Sequence, residues 1–153
     1  MQKIKPCLWF DDLAQEAAEF YVSVFGGDSR IEDITYWNEG SPKAGSVLTV
    51  GFVLAGQEYL GLNGGPEFTF SEAVSLSVDC ADQQEVDTLW TKLTEGGEES
   101  QCGWLKDRYG LSWQIVPRAL PELLADPDRA RADRVLKAMM GMRKLDVQAL
   151  RDA

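Results

Sequence analysis

The sequence contains no histidine. Without an imidazole, the chain cannot build a Ser/His or Cys/His dyad, a histidine-based zinc site or the commonest proton shuttle near neutral pH. Cysteine is scarce: Cys7, Cys80 and Cys102 are widely spaced and form no CxxC pair. This pattern argues against a redox motif, a thiolate zinc site and a secreted disulfide scaffold. We therefore expect a reduced, cytoplasmic protein.

Positive charge is also scarce, since the chain has 15 Lys and Arg residues but 25 Asp and Glu residues, which gives a net charge of −10. That balance disfavours partners rich in phosphate, so neither nucleic acid nor an anionic membrane surface is expected. The N-terminus has no apolar signal-peptide core, and no run approaches the roughly 20 apolar residues of a membrane span. The 153 residues are 44% hydrophobic, enough to bury a core.

The pattern of the chain indicates one strand–helix–strands unit that occurs twice. Asp12 and Asp82 are candidate helix N-caps 70 residues apart, and the Gly-Gly pairs that end the two helices have the same offset. The first unit reads as a strand at 4–10, a helix from Asp12 to Gly26-Gly27, and strands at 29–38, 46–55 and 58–64. The second reads as a strand at 73–80, a helix from Asp82 to Gly96-Gly97, and strands at 102–106 and 111–116.

After Pro117 the pattern becomes helical, with Asp126-Pro127 as the expected helix start. The apolar stripe of this tail is too small for it to fold alone. The sequence leaves open whether the tail packs within its own chain or on a second copy. We expect domains at 1–117, with units at about 1–65 and 72–117, and a helical extension at 118–153.

These motifs resemble the vicinal oxygen chelate superfamily, which includes glyoxalase I and the bleomycin-resistance proteins. The resemblance lies in LWFDDLAQEAAEFYVSVFGG at 8–27, SLSVD at 75–79 and KDRYGLSWQIV at 106–116. More narrowly, CGWLKDRYGLSWQIVP and the tail resemble its PhnB-like branch, named for demethylubiquinone methyltransferase. The resemblance implies an α+β fold of two tandem βαβββ units, whose curved mixed sheet surrounds a cup, followed by the helical tail. The chain has no glycine-rich nucleotide loop of the Rossmann type, so the methyltransferase name adds little.

The superfamily usually binds one divalent metal in the cup. The resemblance places its ligand positions at Lys5, Ala73 and Gln114, with a further position near Tyr59, Gly61 or Asn63. A cationic lysine, a methyl group and a neutral amide do not hold zinc or nickel against water. We therefore expect no metal and no other cofactor. The residues leave open a Mg²⁺ site with oxygen ligands from Asp79, Asp107 or Asn63.

Strand alternation then selects the cup-facing side chains. If Lys5 faces the cup, so do Cys7 and Trp9. Likewise, if Ala73 faces the cup, so do Ser75, Ser77 and Asp79, and if Gln114 faces it, so does Ser112. The same alternation puts Ile31, Asp33, Thr35 and Trp37 on one face. The helix-facing sets are larger and apolar, among them Val74 and Leu76. The predicted ligand-binding residues are Lys5, Cys7, Trp9, Trp37, Asn63, Ser75, Trp104 and Gln114.

These expectations favour a metal-free protein that binds a small molecule of unknown identity, with a homodimer as the expected assembly. One alternative is a metal-independent enzyme in which Cys7, activated by Lys5, attacks a small organic substrate. Asp79 is a further candidate in that case. The other alternative is a metal-dependent lyase, isomerase or dioxygenase of the glyoxalase type. The sequence does not choose a catalytic residue, and Cys7 is its single candidate nucleophile.

Overall fold

The same order of elements occurs twice along the chain. The computed structural model describes residues 2–153, which divide into two compact units, Met1–Thr69 and Phe70–Ala153. The first unit contains β1 (Cys7–Phe10), α1 (Ala14–Phe25), β2 (Arg30–Tyr36), β3 (Val47–Leu54) and β4 (Gln57–Asn63). Its four strands form a mixed sheet in the order β1-β4-β3-β2, with β1 parallel to β4.

The second unit repeats this topology and then continues into helices. It contains β5 (Ser75–Cys80), α2 (Gln83–Thr94), β6 (Glu98–Glu99), β7 (Trp104–Lys106), β8 (Ser112–Pro117), α3 (Ala119–Leu124), α4 (Arg129–Met140) and α5 (Val147–Arg151). The sheet order is β5-β8-β7-β6, and β5 is parallel to β8. The expected fold class is therefore confirmed: an α+β protein with two βαβββ units and C-terminal helices.

The first strand is shorter than the sequence pattern predicts. It begins at Cys7, and Pro6 contributes only its carbonyl, which accepts a hydrogen bond from the Leu60 N–H at 2.9 Å. Proline has no N–H with which to continue the ladder. Lys5, expected within the strand, is an exposed residue that precedes it.

The two helices pack through apolar stripes but are capped differently. In α2 the stripe of Val86, Leu89, Trp90 and Leu93 is buried, and Asp82 accepts a hydrogen bond from the Glu85 N–H at 2.9 Å, as predicted. In α1 the prediction of an Asp12 cap is wrong. Leu13 occupies the N-cap position without a side-chain hydrogen bond.

The cap of α1 comes from β4, the strand that pairs with β1. Asn63, at the end of β4, accepts a hydrogen bond from the Ala14 N–H at 2.9 Å and donates one to the Val47 carbonyl at 3.1 Å. Asn63 is 6% exposed, so these bonds replace water for two backbone groups. A residue 49 positions away therefore does what Asp12 was expected to do.

The helical tail packs within its own chain, as part of the second unit. Its buried residues Leu120, Val135, Leu145 and Leu150 form one apolar cluster. Gln83, in α2, donates to the Leu145 carbonyl at 3.0 Å and accepts from the Val147 N–H at 2.7 Å. The helix expected at Asp126-Pro127 begins later, because Asp128 is the residue whose carboxylate caps α4.

Within residues 2–153, no helix is both long enough and apolar enough to cross a membrane.

Candidate functional site

Each sheet has one face against its helix and one face that points away from it. The ring centroids of Tyr21 in α1 and Phe52 in β3 are 6.4 Å apart, so Phe52 lies on the α1 side of the first sheet. Trp90 of α2 bonds to Glu99, which marks the α2 side of the second. We call the opposite face of each sheet its distal face.

On the second sheet the distal face carries two polar rows that run across the strands. The register pairs Ser75 with Ser112 and Ser112 with Lys106, and Lys106 is paired in turn with Glu98. The neighbouring row is Trp104, Gln114 and Ser77.

Three of the predicted ligand-binding residues, Ser75, Trp104 and Gln114, thus meet on this face. Gln114 Nε2 donates to Ser75 Oγ at 3.0 Å, which joins the two rows.

Ser112 is a buried polar residue of this face that the sequence did not mark as ligand-binding. It is 1% exposed, and its Oγ has no hydrogen-bond partner within residues 2–153. Strand alternation placed it beside Gln114, but a sequence pattern does not reveal whether a hydroxyl has a partner. A buried hydroxyl without one is costly, so the position calls for a functional explanation.

Ser112 is one of the residues that line a cavity of about 160 Å³. The cavity lies entirely within the second unit. Its lining comes from β6, β7, the first residue of β8 and two loop residues, and includes one tryptophan and four ionisable side chains: Glu72, Glu98, Glu99, Ser100, Trp104, Leu105, Lys106 and Ser112.

The charges around the cavity are mostly engaged with one another. Lys106 forms an ion pair with Glu72. Hydrogen bonding to Lys106 lowers the pKa of Glu72, and the same contact raises the pKa of Lys106. Glu99 accepts from Trp90 Nε1 at 2.7 Å and pairs with Arg143 at 3.6 Å. Two oppositely charged groups therefore remain ionised at neutral pH beside the Ser112 hydroxyl.

On the first sheet, Trp9 is held by the loop that follows β4. Its Nε1 donates to the Gly65 carbonyl at 2.9 Å, and its ring meets Phe68 edge-on at 5.0 Å. The ring lies so close to Gly64 that a Cβ there would come within 2.3 Å of it. Trp9 thus packs against its own loop, with its indole N–H already bonded.

Cys7 is an exposed residue at the start of β1. Partial burial nevertheless raises the pKa of its thiol. A raised pKa keeps the thiol protonated at neutral pH, which is opposite to what a nucleophile requires. Burial together with nearby carboxylates raises the pKa of Cys80 to about 12. Neither thiol has the electropositive surroundings of a reactive cysteine.

Trp37 and Asn63 also come together, but on the α1 side of the first sheet. Both line a cavity of about 400 Å³ between the start of α1 and the loop before β3. The full lining is Asp11, Asp12, Gln15, Trp37, Lys43, Ser46, Val47 and Asn63.

The predicted single face of β2 is interrupted, and Trp37 lies beyond the end of the strand. The pairing with β3 shifts between Ile31 and Asp33, where Glu32 of β2 has no partner in the register, so that Ile31 and Asp33 lie on opposite faces. A second shift, between Thr35 and Tyr36, skips Leu48 of β3 and leaves the alternation along β2 unchanged. The expected single face from Ile31 to Trp37 is therefore wrong.

The predicted fourth-strand positions also lie on the α1 side. Tyr59 stacks on Phe52 at 5.4 Å, and a Cβ at Gly61 would lie 3.3 Å from that of Ala14. The register pairs Trp9 with Leu62 and Cys7 with Leu60. Leu60 and Leu62, which offer no ligand atoms, therefore share the distal face with Cys7 and Trp9.

On the second sheet, the predicted alternation of faces is correct from Ser75 onward, but it does not apply to the residues before Ser75. Ala73 and Val74 precede β5, and Val74, expected against the helix, is 66% exposed. Asp79 lies on the distal face, where it forms an ion pair with Arg118 at 2.8 Å.

The residues present do not fit the metal that the superfamily resemblance implies. Lys5, Ala73 and Gln114 supply no anionic or imidazole ligand. Of the oxygen donors considered for Mg²⁺, Asp107 accepts hydrogen bonds from the backbone N–H groups of Tyr109 and Leu111 and from Trp113 Nε1. Across residues 2–153, no three His, Cys, Asp or Glu side chains are grouped so that they could hold a metal ion.

Comparison with known families and structures agrees with this architecture. The family model described as 3-demethylubiquinone-9 3-methyltransferase matches residues 2–116. A PhnB protein from Bacillus cereus, whose name refers to the same methyltransferase, is 37% identical and aligns over 76% of this chain and 99% of its own, with a TM-score of 0.69. No curated protein matches.

Two more distant structures share the fold alone. Protein PA1353 from Pseudomonas aeruginosa is 20% identical over 76% of this chain and 98% of its own, with a TM-score of 0.65. The fosfomycin resistance protein FosX from Listeria monocytogenes, solved with Mn(II) and sulfate, is 16% identical over 74% and 90%, with a TM-score of 0.54. The chain belongs to the PhnB-like family described as 3-demethylubiquinone-9 3-methyltransferase.

Proposed function

We propose that this protein binds a small organic molecule on the distal face of its second sheet, without the superfamily's divalent metal. The observation that carries the proposal is Ser112 Oγ, which is buried beside a cavity and has no hydrogen-bond partner within residues 2–153. Leaving such a hydroxyl unpaired costs about 1–3 kcal/mol. A ligand that bonds to it would recover part of that free energy on binding.

The surroundings of Ser112 are consistent with ligand recognition. Small sites combine apolar or aromatic walls with a few polar groups that fix orientation. Here Trp104 offers a half-buried indole, and the Gln114–Ser75 pair offers an ordered amide and hydroxyl. The other predicted residues, Lys5, Cys7, Trp9, Trp37 and Asn63, lie in the first unit and are not needed for this site.

Two measurements test the proposal on the intact chain, purified without a metal-binding tag. Elemental analysis should find less than stoichiometric metal, and added Zn²⁺, Ni²⁺ or Mn²⁺ should leave the melting temperature unchanged. A thermal-shift screen of small organic compounds should yield stabilising ligands, because a ligand at 100 times its Kd adds about 2.7 kcal/mol.

The variant Ser112→Ala should then lose binding of those ligands, whereas Ser23→Ala should bind as the wild type does. Ser23 is a matched control because it lies on α1 and donates to the Phe20 carbonyl at 2.6 Å. Stoichiometric bound metal, or ligands that bind both variants equally, would reject the proposal.

We also propose that the protein is a homodimer. Leu136 and Met140 lie one turn apart on α4 and are 41% and 61% exposed, whereas the apolar cluster of the tail is buried. Light scattering coupled to size exclusion should give twice the 17.0 kDa chain mass. A mass of one chain at micromolar concentration would remove the dimer from the proposal.

A further inference from the structure

We infer that the ligand of the Ser112 cavity is a neutral, flat molecule of about one ring that forms a hydrogen bond with the Ser112 hydroxyl. This inference rests on the proposed function and adds the chemical class of the ligand. Size, shape and charge each narrow the class independently.

The size of the cavity limits the buried part of the ligand. Its volume is about 160 Å³. Cavities of roughly 150 Å³ accept a single benzene ring. A dinucleotide, a lipid chain or a fused polycyclic compound would therefore leave most of its surface outside this site.

The lining favours a flat ring with a polar edge. Trp104 precedes Leu105 on β7, and its half-buried indole lines the cavity together with Ser112. Aromatic rings pack well in offset-stacked or edge-to-face arrangements against an indole. The unpaired hydroxyl of Ser112 then requires one hydrogen-bonding group at the edge of that ring.

The charges that line the cavity indicate whether this hydrogen-bonding group is anionic, cationic or neutral. The four ionisable residues of the lining are three glutamates and Lys106. Lys106 is paired with Glu72, while Glu98 lies beside Lys106 in the cross-strand row. An anionic ligand would therefore meet an excess of negative charge, and the net charge of −10 adds to that repulsion.

A cationic group is also disfavoured at the buried end. Ser112 is 1% exposed, and a hydroxyl oxygen provides no counter-charge for a cation that has lost its water. Glu98, the carboxylate next in the row to Lys106, is exposed and retains its own hydration. A neutral hydrogen-bonding group is thus the group that this arrangement accommodates best.

Four matched single-ring probes test the inference by ligand-observed NMR and calorimetry on the full chain. Benzamide carries a neutral amide that can donate or accept a hydrogen bond, toluene has no polar group, benzoate is anionic and benzylammonium is cationic. We expect benzamide to bind at least tenfold more tightly than each of the others. In Ser112→Ala its affinity should fall about tenfold, the factor that corresponds to about 1.4 kcal/mol. Ser23→Ala should bind benzamide as the wild type does.

The outcomes separate this inference from the proposed function. Benzoate or benzylammonium binding as tightly as benzamide would overturn the ligand class. So would a screened ligand of a different class whose affinity falls tenfold in Ser112→Ala, although that result would leave the proposed function intact. If no compound distinguishes Ser112→Ala from Ser23→Ala, both are rejected.

Discussion

Replacing Ser112 by alanine should stabilise the free protein, although most substitutions of buried residues destabilise. The buried hydroxyl has no hydrogen-bond partner within residues 2–153, and its desolvation costs about 1–3 kcal/mol. Removing one oxygen beside an existing cavity sacrifices few packing contacts. We expect a net gain of about 1 kcal/mol in the free energy of unfolding, which for a chain of this size corresponds to roughly 2–4 °C in Tm.

Thermal unfolding and urea denaturation, both followed by circular dichroism, provide the assay. Ser77→Ala is the matched control, because Ser77 lies on the distal face of the same sheet, in β5, but is exposed. The free energy of unfolding of this variant should differ from that of the wild type by less than about 0.5 kcal/mol. With a saturating ligand of the second sheet, the order should reverse and the wild type should become the more stable protein. If Ser112→Ala is destabilised by 1 kcal/mol or more without ligand, the hydroxyl is satisfied in the free protein and the reasoning fails.

Three further predictions address other parts of the structure. Asn63→Ala should lower the free energy of unfolding by roughly 1–3 kcal/mol in urea denaturation, since two backbone groups lose their partner, whereas Asp12→Ala should have almost no effect. Equal losses would contradict the remote cap. Leu145→Ala should cost about 2–5 kcal/mol because it opens a cavity in the tail cluster, and the partly exposed Leu136→Ala less than about 1 kcal/mol. Equal, small losses would show that the tail does not pack in its own chain. Alkylation of Cys7 should still accelerate above pH 8.5, because burial raises its thiol pKa, and a rate that levels off below pH 8 would contradict this.

The site was predictable in part from strand alternation. Ser75, Ser112 and Gln114 were assigned to one face, and the pairing of β5 with β8 places them there. Ile31 and Asn63 were not placed correctly, since a bulge in β2 and the register of β4 decide which faces they occupy, and Trp37 lies beyond the end of β2. Bulges and register depend on pairing between distant segments, which a local pattern does not contain.

By itself, the sequence determined the order of the strands and helices, the α+β class and the apolar stripe of α2. These follow from periodicities of 2 and 3.6 residues and from the glycines and prolines between segments. Only the tertiary structure decided that Asn63 caps α1, that the tail packs within its own chain and that Ser112 is buried without a partner. Each of these depends on which groups meet across tens of residues, and that is set by the closing of the sheets and the packing of the core.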